Sequence, residues 1–382
     1  MKLGVLILAA GEGTRMRSRK PKVLHHLAGK PLLSHVIGTA RDFSPDEITV
    51  VYGHGGEQVR DLLDAPDLDW CEQKQRLGTG HAVIQALPYL EQVDQVVILY
   101  GDVPLIEDGT LIAMLEGLQS TDLVLLTVTL DDPTGYGRIL RNPSGQVSAI
   151  VEQKDASEAQ RQIREINTGI MAVQRERLAG WLARIDNNNS QQEYYLTDII
   201  ALAVADGIEI KTVNPLCEEE VMGINDRQQL AYLERHYQRQ QADRLMRAGV
   251  TLADPSRIDI RGNLQAGTDV YIDCNTVFEG DVDIADGVTI GPNVLIKDAK
   301  IHENAEILAN CVIEDAEIGA GCSIGPFARI RPETVLAENV KVGNFVEVKK
   351  SQVASGSKIN HLSYVGDSQI GSQVNIGAGT IT

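Results

Sequence analysis

The stretch Leu6–Pro31, LILAAGEGTRMRSRKPKVLHHLAGKP, runs from an apolar segment into a two-glycine turn and then into a burst of positive charge. The apolar part, begun by KLGV, is continuous enough to be a strand buried on both faces, as in a parallel sheet. Gly11 and Gly13 remove side chains, so backbone N–H groups can approach an anion. Arg15, Arg17, Arg19, Lys20 and Lys22 then supply charge. A dinucleotide fingerprint would need glycine where Met16 stands, and the G-x-x-x-x-G-K-[ST] loop is absent. What remains is a strand, Gly-x-Gly-Thr-Arg, and Pro21-Lys22. Arg15 can fork two phosphate oxygens, and Lys22 acts as a point charge. This combination suits transfer of a nucleotide from a triphosphate, whose departing pyrophosphate must be neutralised. MKLGVLILAAG has the composition of a secretory leader, but its charge follows the apolar run, so it reads as the first strand.

The 382 residues predict more than one domain. With 35 basic against 53 acidic residues the net charge is −18, which argues against nucleic acid and anionic membranes as partners. No apolar run has the length needed to span a bilayer. Cys71, Cys217, Cys274, Cys311 and Cys322 match no zinc spacing. Scattered and odd in number, they suit a reducing cytosol.

From Met1 to about Ile224 short apolar runs alternate with helical spacing. EITVVYG, QVVILYGD and TDLVLLTVTL read as strands, and GHAVIQALPYL and DGTLIAMLEGL as helices. The pattern predicts an α/β domain with a mostly parallel sheet. In such sheets ligands sit beyond the carboxyl ends of the strands, where both AAGEGTR and YGD fall.

LAAGEGTRM with PKVLH resembles the signature of the sugar-nucleotide pyrophosphorylases, a Rossmann-like nucleotidyltransferase family. VVYGHGGEQV, RLGTGHAV, LYGDVPLI, DDPTGYGRI, IVEQKDA, EINTGI, NNNSQQEYYLTDII and GINDR narrow it to the bifunctional bacterial uridyltransferase–acetyltransferases. That resemblance covers the chain and implies acetyl transfer from acetyl-CoA to glucosamine 1-phosphate. Uridylyl transfer from UTP to N-acetylglucosamine 1-phosphate would follow. It implies that Leu8, Ala9, Ala10 and Gly11 hug the nucleotide, with Arg15 and Lys22 on its phosphates. Gln73, Gly78 and Thr79 would read the uracil edge. Tyr100, Gly101 and Asp102 would lie under the sugar-phosphate junction, and Gly137, Glu152 and Asn167 would hold the amino sugar. Asp102 and Asn225 would bind Mg²⁺. Arg76 departs from the family, which often has Gln there.

DRQQLAYLERHYQRQQADRLMRAG places Leu230, Leu233, Tyr237 and Leu245 roughly on one helical face, with Gly249 as a stop. The expected domains are therefore 1–226, a linker helix at 227–249, and 250–382. In the last, Ile284, Ile290 and Ile296 recur every six residues, as do Ile318, Ile324, Ile330, Leu336, Val342 and Val348. A hexapeptide period predicts a left-handed parallel β-helix. The phase breaks between Val348 and Tyr364, predicting a loop, before Ile370 and Ile376. His361 in that segment can take a proton from an attacking amine. Arg331 and one of Lys349 and Lys350 can bind a sugar phosphate. The resemblance implies His361 as base, Arg331 and Lys349 on phosphate, Tyr364 and Asn375 on the sugar, and Ala378 near acetyl-CoA, in a homotrimer. NIGAGTIT ends in mid-coil without a cap, so a carboxyl-terminally truncated chain keeping only uridyltransferase activity is expected. Two rival readings are a single-function pyrophosphorylase with a structural β-helix and a non-catalytic regulatory subunit. EINTG, GINDR and the His361 cluster oppose the first; Arg15, Lys22 and Asp102 oppose the second.

Overall fold

The run that opens the chain forms the expected strand, β1 (Leu3–Ala9), in a computed structural model that describes residues 1–53 and 56–382. His54 and Gly55 of the VVYGHGGEQV block lie outside the described residues. The remaining strands of the main sheet are β2 (Glu47–Gly53), β3 (Asp69–Gln73), β4 (Gln95–Tyr100), β5 (Leu123–Thr129), β6 (Gly137–Arg141), β7 (Val147–Val151), β8 (Glu165–Gln174) and β9 (Ile210–Val213). Their order is β9-β5-β8-β4-β1-β2-β3, with β6 added to β8 and β7 to β6. β1 is parallel to β2 and β4, β2 to β3, and β9 to β5, whereas β8 runs against β4, β5 and β6. Successive side chains of a strand face opposite ways, and the sheet uses this to feed two cores. Val5, Ile7 and Ala9 pack on one side with Leu33 and Val36 of helix Leu32–Asp42 and Leu111 and Met114 of helix Asp108–Leu118. Leu6 and Leu8 pack on the other with Val83 of helix Thr79–Ala86 and Ile199 of helix Asp198–Ala205.

Contacts divide the described residues into two compact units, Met1–His26 with Pro31–Leu230, and Leu27–Lys30 with Ala231–Thr382. A helix forms at Arg227–Arg247, and Gly249 beyond it has φ +102°, which suits glycine. The sequence assigned Leu27–Lys30 to the first domain; it groups with the second unit. There the Ala28 N–H donates to Glu234 Oε2 at 2.7 Å and the Lys30 ammonium to Asn263 Oδ1 at 2.8 Å.

Residues Thr251–Ile376 coil into a left-handed parallel β-helix with an eight-stranded and an eleven-stranded sheet. Like side chains stack from coil to coil: Ile290 meets Ile307, then Ile324, Val342, Ile359 and Ile376. The expected loop after Val348 is not there. Strands Gln352–Val353, Lys358–His361 and Tyr364–Gly366 continue the coil, and the inward residues are Val353, Ile359 and Val365. Tyr364 is only half-buried, so Val365 takes the inward place. The coil has a five-residue step at Val348–Val353, and a corner absorbs the missing residue. One corner column takes a left-handed backbone at Asn275, Asn293, Asn310, Phe327, Phe345 and Leu362. Asn275 donates to Asn293 at 2.9 Å and Asn293 to Asn310 at 3.2 Å, and the rings of Phe327 and Phe345 stack at 5.3 Å.

Candidate active sites

Three strands end at one crevice. Ala9 closes β1, Gln73 closes β3 and Tyr100 closes β4, and all three line a cavity of about 330 Å³. Leu8, Ala10, Gly11, Lys22, Gly78, Thr79 and Asp102 share its wall, joined by Val23, Arg76, Ala82 and Glu193. The glycine turn is shaped for this. Gly13 has φ +63°, and a Cβ there would come within 2.5 Å of the Lys22 Cβ, so any side chain would push Lys22 out of place. Met16, fully buried, pins the turn from beneath.

Lys22 is the hub. Its ammonium makes a short ion pair with Asp102 and donates to Asn225 Oδ1 at 3.1 Å. Asn225 reaches Asp102 because the Ile224 N–H donates to the Asp102 carbonyl at 2.9 Å. A carboxylate and an amide oxygen thus converge on one cation, which is the donor chemistry Mg²⁺ takes from a protein. Arg15 is exposed and lies outside the lining of this cavity; burial and then Asp102 raise the Tyr136 phenol, and the charge of Arg15 opposes them.

Gln73, Gly78 and Thr79 are held by backbone contacts. Gln73, buried, donates from Nε2 to the Gly78 carbonyl at 3.0 Å and meets His81 Nδ1 at 3.1 Å. Gly78 has φ +104°, and a Cβ there would crowd the Tyr194 carbonyl. Thr79 Oγ1 accepts from the Leu196 N–H at 3.2 Å.

Gly137, Glu152 and Asn167 come together beside Tyr100. Asn167 pairs with Gly137 across β8 and β6, and a Cβ on Gly137 would lie 3.5 Å from the Glu152 carboxylate. Asn167 is buried and its Oδ1 has no partner. Glu152 accepts from the Thr197 hydroxyl at 3.0 Å, and burial, helped by Asp155, pushes its carboxyl above the usual range. Burial raises the Tyr100 phenol, with Glu152 and Asp102 adding to the effect. Gly101 sits behind the wall, packed against Ala9, Leu33 and Val23. Sequence reasoning missed Thr197, Asp155, Glu193 and Asp198. Burial first, then Asp186, Glu152 and Asp155, push Asp198 up to about 6. Glu193, Thr197 and Asp198 lie in NNNSQQEYYLTDII, where isolated polar residues carry no spacing signal of their own.

On the β-helix, Arg331 and Lys349 fall in one column and His361 in another. Arg331 donates to Glu347 at 2.6 Å and keeps a buried Nε without a partner. Lys349 lies 3.9 Å from Asp367 and Lys350 3.7 Å from the same carboxylate. His361 Nδ1 is 2.8 Å from Asn344 Oδ1. An Nδ1–H donated to that oxygen leaves the lone pair on Nε2, the form a base needs. Tyr364 sits beside Glu347 in the next coil, and Asn375 Oδ1 accepts from Asn360 at 3.4 Å. Ala378 is exposed.

A family described as the MobA-like NTP transferase domain matches residues 5–204, and one described as the GMPPB C-terminal domain matches residues 260–353. Two solved structures share the first unit's fold. A chain from Bacillus anthracis assigned as a glucose-1-phosphate thymidylyltransferase has TM-score 0.50 and 16% identity, over 61% of this chain and 94% of that one. A UDP-glucose pyrophosphorylase in complex with UDP-glucose has TM-score 0.51 and 15% identity, over 63% of this chain and 100% of that one. Curated relatives are far nearer. The bifunctional protein GlmU of Marinobacter nauticus is 57% identical, spanning 100% of this chain and 84% of its own length. The GlmU proteins of Cellvibrio japonicus and Idiomarina loihiensis are 59% and 55% identical over the same shares. The chain therefore belongs to the GlmU family of bifunctional enzymes, in which a nucleotidyltransferase and an acetyltransferase together make UDP-N-acetylglucosamine.

Proposed function

We propose that the first unit's crevice performs the uridylyl transfer, and that 1–226 is the uridyltransferase domain and 250–382 the acetyltransferase domain. The phosphate oxygen of N-acetylglucosamine 1-phosphate attacks the α-phosphorus of UTP in line. The new O–P bond forms as the bond to the β-phosphate oxygen breaks, and pyrophosphate leaves. Such a step needs positioning and charge neutralisation more than covalent help. Leu8–Gly11 lie along the nucleotide, and Arg15 and Lys22 neutralise its phosphates. Gln73, Gly78 and Thr79 read the uracil edge. Tyr100 and Gly101 support the sugar-phosphate junction, while Gly137, Glu152 and Asn167 hold the amino sugar. Asp102 and Asn225 would hold Mg²⁺, which supplies further charge neutralisation to the phosphates when bound. The observation that carries the reading is the meeting of Lys22 with Asp102 and Asn225, where Lys22 and Asp102 share one wall with Gln73, Gly78 and Thr79.

At the second site His361 Nε2 takes a proton from the amine of glucosamine 1-phosphate as the nitrogen attacks the thioester carbonyl of acetyl-CoA; the C–N bond forms, the C–S bond breaks, and coenzyme A leaves as a thiolate that takes up the proton. Arg331 and Lys349 bind the sugar phosphate, Tyr364 and Asn375 the sugar, and Ala378 lies near acetyl-CoA. The β-helix assembles as a homotrimer, and the enzyme works in the cytoplasm. No helix among the described residues is long and apolar enough to cross a membrane. The test is incubation with UTP, Mg²⁺ and N-acetylglucosamine 1-phosphate. Pyrophosphate release dependent on all three is expected, and its absence overturns the reading.

A further inference from the structure

Glu12 stands between Gly11 and Gly13, on the turn proposed to take the triphosphate. A carboxylate there repels phosphate oxygens, the opposite of what the neighbouring Arg15 and Lys22 provide. The structure supplies a partner for it. Arg76 forms an ion pair with Glu12, although Arg76 belongs to the base-side segment between Gln73 and Gly78. Arg76 also lines both the 330 Å³ crevice and an adjoining recess of about 160 Å³ that shares Ala9, Ala10 and Gly11 with it. Glu12, Arg19 and Lys20 face that recess. The guanidinium is seated rather than free in solvent. A Cβ at Gly53, the end of β2, would come within 3.1 Å of Arg76 Nε and 3.3 Å of Nη2, so Gly53 leaves it room. The Arg76 and Glu12 side chains are 39% and 58% exposed, so the pair adds little to folding. It is open enough for a polyphosphate to feel both charges.

We propose that Arg76 is a built-in counter-charge: it cancels the Glu12 carboxylate within the phosphate-binding turn and thereby sets the affinity for the nucleoside triphosphate. This rests on the crevice being the nucleotide site. The two members of the pair then act with opposite sign. Arg76→Gln leaves Glu12 uncompensated and should raise KM for UTP about three- to tenfold, with kcat little changed. Glu12→Gln leaves an extra guanidinium facing the phosphates and should leave KM the same or lower it. The double variant should return towards wild type, and Arg76→Lys, which keeps the charge, should stay near it. In the reverse reaction KM for pyrophosphate should follow the same order, while KM for UDP-N-acetylglucosamine should not.

The experiment measures initial rates for wild type and these four variants with Mg²⁺ at low and moderate salt, with thermal melting to show that each is folded. Higher salt should shrink the difference between Arg76→Gln and wild type. If the pair were only a mechanical clasp, both single variants would raise KM alike, and the counter-charge proposal would be overturned. An unchanged KM in Arg76→Gln would equally overturn it and leave a surface ion pair. Both results would leave the crevice's function standing. Wild type that releases no pyrophosphate from UTP would instead overturn the proposed function, and this inference with it.

Discussion

Lys22 shows what a single residue in the sequence could and could not reveal. Its place after a glycine turn marks it as a candidate phosphate-binding residue, but its pairing with Asp102 and Asn225 depends on the backbone link from Ile224 to Asp102, which no local pattern encodes. Thr197 and Asp155 were not legible, because a lone polar residue in a loop carries no period and no spacing. Asp198 is of the same kind and makes a testable case. Burial and three neighbouring carboxylates raise its pKa to about 6, against about 3.9 for an unfolded chain. The native state then binds the proton more tightly than the unfolded state between those values, so stability falls as pH rises from about 4 to 6. The full shift would amount to at most about 3 kcal/mol, and solvent at a half-buried site reduces that to about 1–2 kcal/mol. Asp198→Asn should be more stable than wild type at pH 7 by roughly that amount and should lose the slope. Urea unfolding from pH 4 to 8 measures it; parallel curves for the two proteins would remove Asp198 from the account.

Among the elements, the strands of the first unit were readable because their apolar runs are too dense for anything but a doubly covered sheet. β3 is not legible as a strand, since DWCEQ sets only two apolar residues, side by side, among three polar ones and so lacks both alternation and an apolar run. Yet β3, the turn after it and the start of helix Thr79–Ala86 form the element proposed to read the base. With Gln73 fixed at Gly78 and His81, this element should discriminate by hydrogen bonding to the base edge. UTP should be preferred to CTP by about a hundredfold or more in kcat/KM, a few kcal/mol. Gln73→Ala should shrink that preference while kcat falls less, and equal use of the two nucleotides by wild type would mean that only the phosphates are read. The expected loop between Val348 and Tyr364 failed for a different reason: a fixed six-residue step does not anticipate that a corner can turn with one residue fewer.

At the scale of the whole molecule, the alternation of strand and helix followed by a hexapeptide period disclosed both units, while the grouping of Leu27–Lys30 with the second depended on contacts that no local pattern encodes. Two sites on separate cores should fail separately. Asp102→Ala should abolish pyrophosphate release, and His361→Ala should leave it unchanged. Assaying pyrophosphate release on both variants checks this; its loss in His361→Ala would show that a residue of the β-helix supports the first site as well.

The stacked column of aliphatic residues has one more consequence. Ile290 meets Ile307, which meets Ile324, and each rung is chemically interchangeable with the next. Excising Glu306–Cys322 would join Ala305 to Ser323 and set Ile290 directly on Ile324. The core would be rebuilt from the same residue types, with one strand spacing, about 4.8 Å, removed. Cutting half as much would turn the inward column to the outside. The prism is in effect a ruler graduated in whole coils: its length can change in discrete steps without a new core, carrying His361 nearer to the helix-bearing end or farther from it.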